Sequence, residues 1–270
     1  MDFASLTDDE WFQTVVGKNG PAVFGTPDEK IQIGTVGVAG EPILYNGFMF
    51  YKFCRDMLYI HGNGISDNTY VLDFGCAWGR LIRFWFHKLP PKNIYGLEVQ
   101  ERFLDLARRD VPGCQYHVSQ TRPPIPMPVK DQKFDLIYAY SVFSHLPENL
   151  ANEWIEEFAD ALKPGGIACL TTRPRAHIEI SGTAAATGAY AEQYAEIFKD
   201  KSSALAQYDS GNFVFYPQHG GGSLSEKDYG EAVIPLTYAL KNWSKHLEVI
   251  NLYENYSSIF LQPCFVLRKK

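Results

Sequence analysis

Long apolar runs are missing from this chain: no stretch approaches the ~18 residues of a membrane span. Patterned cysteines are missing too. The five, Cys54, Cys76, Cys114, Cys169 and Cys264, stand far apart with no CxxC and no His–Cys spacing. An odd, unpatterned set reads as small buried hydrophobes in a reducing compartment. With no HxH, HExxH or EF-hand pattern either, no metal site is expected. Positive charge is in deficit, 25 Lys and Arg against 31 Asp and Glu, for a net charge of −6. That balance opposes general nucleic-acid binding, which needs a basic surface to grip a polyanion. The basic cluster Lys52 to Arg55 and the pair Arg108-Arg109 read as solvated helix faces. The opening MDFASLTDDEW lacks the basic and apolar regions of a secretory signal. The expectation is therefore a cytoplasmic protein with neither membrane nor nucleic acid as partner.

What is present is an ordinary globular composition, 46% hydrophobic over 270 residues. That suffices for one large α/β domain with an insertion, or for two small domains. Residues 1–44 show weak periodicity. A short helix is expected at Asp8 to Val16, a turn around Gly34 to Gly40, and a helix over 47–60. Strand and helix patterns then alternate. Strands are expected at 69–75, 93–99, 114–119, 133–141 and 167–173, and helices at 79–89, 100–110 and 147–163. Such alternation specifies parallel strands joined by right-handed crossovers. Ligands in such sheets bind at the carboxyl ends of the strands. Residues 174–233, with SGTAAATG and QHGGGS, break the rhythm for longer than a simple connection would. A helix at 235–246 and strands at 247–253 and 262–270 restore it. The predicted organisation is an N-terminal helical cap segment, 1–65, and an α/β core, 66–270, with 174–233 as a substrate-side insertion.

The sharpest motif is VLDFGCAWGR at 71–80. A strand ends at Asp73, and Gly75, Ala77 and Gly79 follow at alternate positions before a helix. Small residues there admit a ligand close to the backbone and expose N–H groups at the helix start. The spacing is not the dinucleotide GxGxxG. An acid two residues before the first glycine repels a pyrophosphate and suits a cationic amine. A tight turn without a ligand would leave the same pattern. Glu98, at the end of the next strand, can accept both hydroxyls of a ribose or simply cap the following helix.

These residues, with FDLIYAYSVFSHL at 134–146 and LKPGG at 162–166, resemble the class I S-adenosylmethionine-dependent methyltransferases over roughly residues 66–175. The resemblance implies a Rossmann-like seven-stranded, mostly parallel sheet with helices on both faces and the last strand antiparallel. It also implies S-adenosylmethionine as cofactor and S-adenosylhomocysteine as product. Asp73, Gly75, Cys76, Ala77 and Gly79 would form the loop under the methionine part. Glu98 would bind the ribose, Val99 would pack on the adenine, and Tyr140 would lie near the methionine end. The sequence departs from the family at Ala77, where Gly is usual, and at Ser119-Gln120, where Gly–Asp is usual. Gln120 can still accept from the adenine amine through its carbonyl.

Methyl transfer needs orientation more than reactive side chains. Aromatic faces favour the cation, and Tyr138, Tyr140 and Phe143 are the local candidates. A hydroxyl acceptor gains from a base. His145, just past the fourth strand, is the first candidate for that base, and His219, in the insertion, is the second. His177, Tyr229 and Glu231 could border the acceptor. Arg173 and Arg175 could pair with an anionic acceptor but read better as solvated. His61, His87, His117 and His246 read as surface or helix-end residues. The expected reaction is methyl transfer to a small molecule, a sugar or secondary metabolite, at oxygen. A nicotinamide-dependent oxidoreductase and a non-catalytic binding module remain as alternatives.

Overall fold

The computed structural model describes residues 3–181, 200–218, 220, 224–254 and 262–270. Its centre is a strand short enough to be buried throughout, β1 (Val71–Phe74). Complete burial is expected where a parallel sheet is covered on both faces. Side chains alternate across it: Val71 joins the core on one face, Leu72 and Phe74 the core on the other. Parallel neighbours β2 (Ile94–Glu98) and β4 (Phe134–Ala139) flank β1. Outside them lie β3 (Gln115–Val118) and β5 (Leu162–Thr171), also parallel. β8 (Glu248–Tyr253) and β9 (Cys264–Arg268) complete the sheet, with β9 antiparallel to both its neighbours. The order β3-β2-β1-β4-β5-β9-β8 gives seven strands, six in one direction. This is the expected fold class.

The N-terminal segment builds one side of the core. In α1 (Asp8–Val16), Thr7 and Glu10 form a reciprocal capping box that satisfies the free N–H groups of the first turn. In α3 (Glu41–His61), Ile43, Gly47, Phe50, Cys54 and Leu58 fall on one buried stripe at helical spacing. Trp11 and Phe50 share a cluster with Tyr138 and Cys169 of the sheet. On the opposite face, α6 (Glu148–Ala161) and α9 (Leu236–Asn242) bury Trp154, Phe158 and Tyr238. α5 (Glu101–Asp110) links β2 to β3.

Three sequence expectations change. The turn expected from Gly34 begins later, because α2 (Glu29–Val36) is helical and ends at Gly37. The helix expected over 79–89 is α-helical only in α4 (Ile82–Trp85). Residues 80–85 are all buried, so enclosure by neighbouring elements, not a one-sided apolar stripe, sets their course. The insertion contains a hairpin that carried no turn signal, since a long Gly-rich stretch separates its strands. β6 (Val214–Pro217) pairs antiparallel with β7 (Gly230–Val233). The small helices α7 (Ala176–Ile180) and α8 (Lys201–Asp209) pack beside it. No helix among the described residues is long and apolar enough to cross a membrane.

Candidate active site

The chain leaves β1 through a loop whose conformation few sequences tolerate. Gly75 and Gly79 have φ of +79° and +76°, and Ala77 has φ +44°. The left-handed region costs an L-residue ~1–2 kcal/mol, so Ala77 holds local strain. A Cβ on Gly75 would stand 2.5 Å from Val142 Cγ2. Two consecutive amides, of Gly75 and Cys76, donate to Leu97 O at 2.8 and 2.9 Å, tying the loop to β2. Glu98 finishes the tie. Its Oε2 accepts from Ala77 N and its Oε1 from Gln100 N, both at 3.0 Å.

This loop walls a cavity of about 300 Å³ at the carboxyl ends of β1, β2 and β4. Among the predicted cofactor residues, Asp73, Gly75, Cys76 and Ala77 line it from β1 and its loop. Glu98, Val99, Gln120 and Tyr140 line it from the neighbouring strand ends. Gly79 is outside the lining; its amide closes a turn on Cys76 O, and its α-carbon faces Tyr116, Val111 and Ala107. Ser119 also lines the cavity, its hydroxyl bound to Gln120 O at 3.0 Å.

Asp73 is 1% exposed, yet neither carboxylate oxygen has a hydrogen bond among the described residues. Burial pushes its carboxyl well above the usual range, against the pull of the Arg80 guanidinium and, more weakly, of the Tyr138 hydroxyl. Arg80 was not singled out from the sequence. It is buried too, and burial lowers its pKa while Tyr140 and Asp73 oppose that shift. Nη1 of Arg80 donates to Ile43 O and Asn46 Oδ1, both at 3.2 Å, and its guanidinium lies over the Tyr140 ring at 4.8 Å. One wall of the cavity thus carries a buried carboxylate and a buried guanidinium. Burial also raises Glu98, against the N–H groups of Gln100, Ala77 and Val99. At Cys76 burial holds the thiol protonated, which leaves no reactive thiolate.

Past β4 the chain turns through a second left-handed non-glycine residue, Ser141, at φ +59°. Its amide donates to Thr171 Oγ1 at 2.7 Å, and its hydroxyl accepts from Gln262 Nε2 at 3.0 Å. Four residues on, His145 lines the same cavity. Strand β7 of the insertion docks against this turn: Gly230 N donates to His145 O at 3.0 Å and Ala232 N to Ser144 O at 2.8 Å. That docking carries Glu231 behind the histidine ring. His145 Nδ1 is 2.8 Å from Gly230 O and 3.3 Å from Glu231 Oε1, while Nε2 is 3.5 Å from Ser141 Oγ. Tyr229 stacks on the ring with centroids 4.7 Å apart and planes 9° apart. Glu231 also meets Arg173 Nε at 2.7 Å and His177 Nε2 at 3.2 Å. Burial opposes its charge, but His145, Arg173 and His177 together hold its carboxyl well below the usual range.

Several expectations are corrected. Tyr138 and Phe143 are buried in the two apolar cores, away from the cavity lining, because their positions on β4 and its exit turn face inward. Arg173 is not solvated but pairs with the buried Glu231, whereas Arg175 stays at the surface, paired with Asp209 and Glu179. Lys52 and Arg55 are held by Asp8. His87 is no surface residue but lies buried against Trp11, its Nε2 2.6 Å from Leu6 O. His219 lies outside the described residues.

Comparison with known proteins bears on the fold that carries this site. A family model described as a methyltransferase domain matches residues 72–168. Trans-aconitate 2-methyltransferase of Rhizobium rhizogenes is 27% identical over 100 residues, a stretch covering 37% of each chain. The match therefore spans little more than a third of that relative's length. DesVI of Streptomyces venezuelae aligns with a TM-score of 0.53 at 14% identity, over 91% of this chain and 100% of that one. CalS10 of Micromonospora echinaspora, an amino pentose methyltransferase solved with SAM bound, gives 0.53 at 14% identity, over 91% and 99%. At such identity the two structures speak for the fold alone. Residues 72–168 thus match a methyltransferase domain, and the sheet that contains them has the fold of these methyltransferase structures.

Proposed function

We propose that this protein binds S-adenosylmethionine and transfers its methyl group to a hydroxyl oxygen of a small molecule. The observation that carries the reading is Asp73: a buried carboxylate with no hydrogen bond among the described residues, beside the buried Arg80, on one cavity wall. An unsatisfied buried carboxylate is costly unless a cation completes it. A zwitterionic amino-acid group satisfies both side chains at once: its ammonium suits Asp73 and its carboxylate suits Arg80. The pyrophosphate of a nicotinamide cofactor would meet Asp73 with like charge. Glu98 retains lone pairs for ribose hydroxyls beyond the backbone N–H groups it accepts. Val99 and Gln120 serve the base, and the Gly75–Gly79 loop, with Cys76 and Ala77, passes under the amino-acid end.

Bound S-adenosylmethionine supplies a methyl group on a sulfonium sulfur that leaves as a neutral thioether. His145 acts as general base, taking the acceptor's hydroxyl proton at Nε2. A positioned base of this kind contributes ~10²–10⁴-fold. His219 remains a second candidate in the insertion. Residues 1–65 close one side of the cavity through Gly34, Thr35 and Val36, and the insertion closes the other through Leu224, Asp228 and Tyr229. A cavity bounded on both sides this way suits a sugar or secondary metabolite better than a macromolecule. The curated relative's name, for trans-aconitate, and that of CalS10, for an amino pentose, are of the same size class. An anionic acceptor is disfavoured, since Arg173 and Arg175 are engaged in ion pairs. Five free cysteines suit a cytoplasmic setting.

The experiment is transfer of tritiated methyl from S-adenosylmethionine into panels of neutral hydroxylated molecules, amines and carboxylates. Label in hydroxyl compounds, with turnover slowed by His145→Ala, is the expected result. Label confined to amines would reject oxygen as the acceptor atom, and label confined to carboxylates would reject a hydroxyl acceptor.

A further inference from the structure

Glu231 lies one layer behind the cavity, and nothing in the proposed reaction requires it to touch substrate. Its placement is nevertheless tightly specified. Two backbone hydrogen bonds pin β7 to the turn that carries His145, and Glu231 is 3% exposed. Two acceptors converge on His145 Nδ1: the Gly230 carbonyl at 2.8 Å and the Glu231 carboxylate at 3.3 Å. A lone pair on Nδ1 would face both, so the proton must sit there. On the far side, Gln262 donates to Ser141 Oγ, whose own proton can point at Nε2, 3.5 Å away, or at Ser144 Oγ, 3.4 Å away. The Nδ1 side specifies the tautomer, protonated at Nδ1 with the Nε2 lone pair toward the cavity, and the Ser141 side accommodates it. The stacked Tyr229 ring restrains rotation out of this plane.

We propose that Glu231 is a positioning residue that fixes His145 in the Nδ1-protonated tautomer and balances the imidazolium formed when Nε2 takes the acceptor proton. The proposal rests on His145 being the base. As the acceptor oxygen gains the methyl group, its proton passes to Nε2, and the Nδ1 proton stays between Gly230 O and Glu231. Arg173, bound to the same carboxylate, keeps Glu231 ionised through that cycle, so the carboxylate neither accepts the proton nor leaves the ring. His177 closes the other side of the carboxylate. The insertion therefore contributes to the reaction by orienting a side chain of the core, independently of any contact it makes with the acceptor.

The test uses histidine labelled with ¹⁵N in the whole chain, free of cofactor and acceptor, with the His145 signal assigned by its loss in His145→Gln. The neutral ring should show a protonated Nδ1 and an unprotonated Nε2. A neutral ring protonated at Nε2 would overturn the proposal without any variant. In Glu231→Gln an amide replaces the carboxylate and can itself donate to Nδ1. The expected result is a shift of the tautomer toward Nε2–H and a fall in kcat of about 100-fold or more, with acceptor KM and S-adenosylhomocysteine affinity changed by less than about threefold. A folded Glu231→Gln protein with unchanged tautomer and kcat would overturn it. The tautomer readout needs neither cofactor nor turnover. A failure of the methyl-transfer reading is therefore separable from a failure of this one.

Discussion

The two ends of the cavity treat buried charge in opposite ways. At the loop end, Asp73 has no hydrogen-bond partner among the described residues and Glu98 is only partly satisfied, and burial raises both carboxyls. At the turn end, Glu231 is equally buried but held by Arg173, His145 and His177, which keep it ionised. An incomplete charge site is one a ligand completes; a completed one orients its neighbours. The difference separates binding from chemistry within one cavity. In the proposed function the first task falls to Asp73 and Glu98, the second to His145 and Glu231.

The largest effects should break the two tasks apart. His145→Ala should reduce turnover by ~10²–10⁴-fold while S-adenosylhomocysteine affinity stays nearly constant. Steady-state kinetics beside calorimetry checks this, and a parallel loss of affinity would place His145 in the binding half. Glu98→Ala should do the reverse. Losing charged hydrogen bonds worth ~1.5–3 kcal/mol should weaken product binding by roughly 10–100-fold. An unchanged affinity would remove Glu98 from the site.

The pH dependence of stability should also differ in sign between the ends. Asp73 has a folded pKa above its unfolded value of about 3.8, so the folded state holds the extra proton. Its contribution is full below that value and lost as pH rises through the raised folded pKa. Glu231 has a folded pKa below its unfolded value of 4.5. Its contribution is present above 4.5 and lost as pH falls toward the folded value. Denaturant melts across pH should show that Asp73→Asn reduces the loss on the rising side, and Glu231→Gln the loss on the acid side. Identical profiles for both variants would contradict the contrast. The smallest expected effect lies in the loop itself. Ala77→Gly relieves a left-handed alanine and should stabilise the chain by about 1 kcal/mol. Thermal melts that show destabilisation would mean the Ala77 methyl supports the loop.

The same boundary separates what the sequence reveals from what it hides. The alternation of strands and helices over residues 69–173, and the Asp73–Gly79 and Glu98 signals, are local patterns, and the structure brings Asp73, Ala77 and Glu98 to one cavity. His145 was legible because it follows a strand at the ligand-binding edge. Arg80 was legible only as a departure from a dinucleotide motif, since its role depends on contacts with α3, far away in sequence. The pairing of His145 with Glu231 joins residues 145 and 231 through a hairpin whose strands no short turn announces. Tyr229 and Glu231 could be suspected of bordering the acceptor, but not assigned to a face. The short α4 and the buried His87 escaped for a related reason: enclosure on all sides leaves no periodic stripe to read.

The central claim, that an unpartnered Asp73 awaits a cationic amine, is tested most directly by calorimetry of S-adenosylhomocysteine binding in buffers of different ionisation enthalpy. Because burial raises the Asp73 carboxyl in the free protein and an ammonium group favours its ionised form, binding should be one-to-one and should release protons. In Asp73→Asn, affinity should fall and the release should diminish, while NADH should bind neither protein. Equal affinity and equal proton release in the two proteins, or a preference for NADH, would contradict the account.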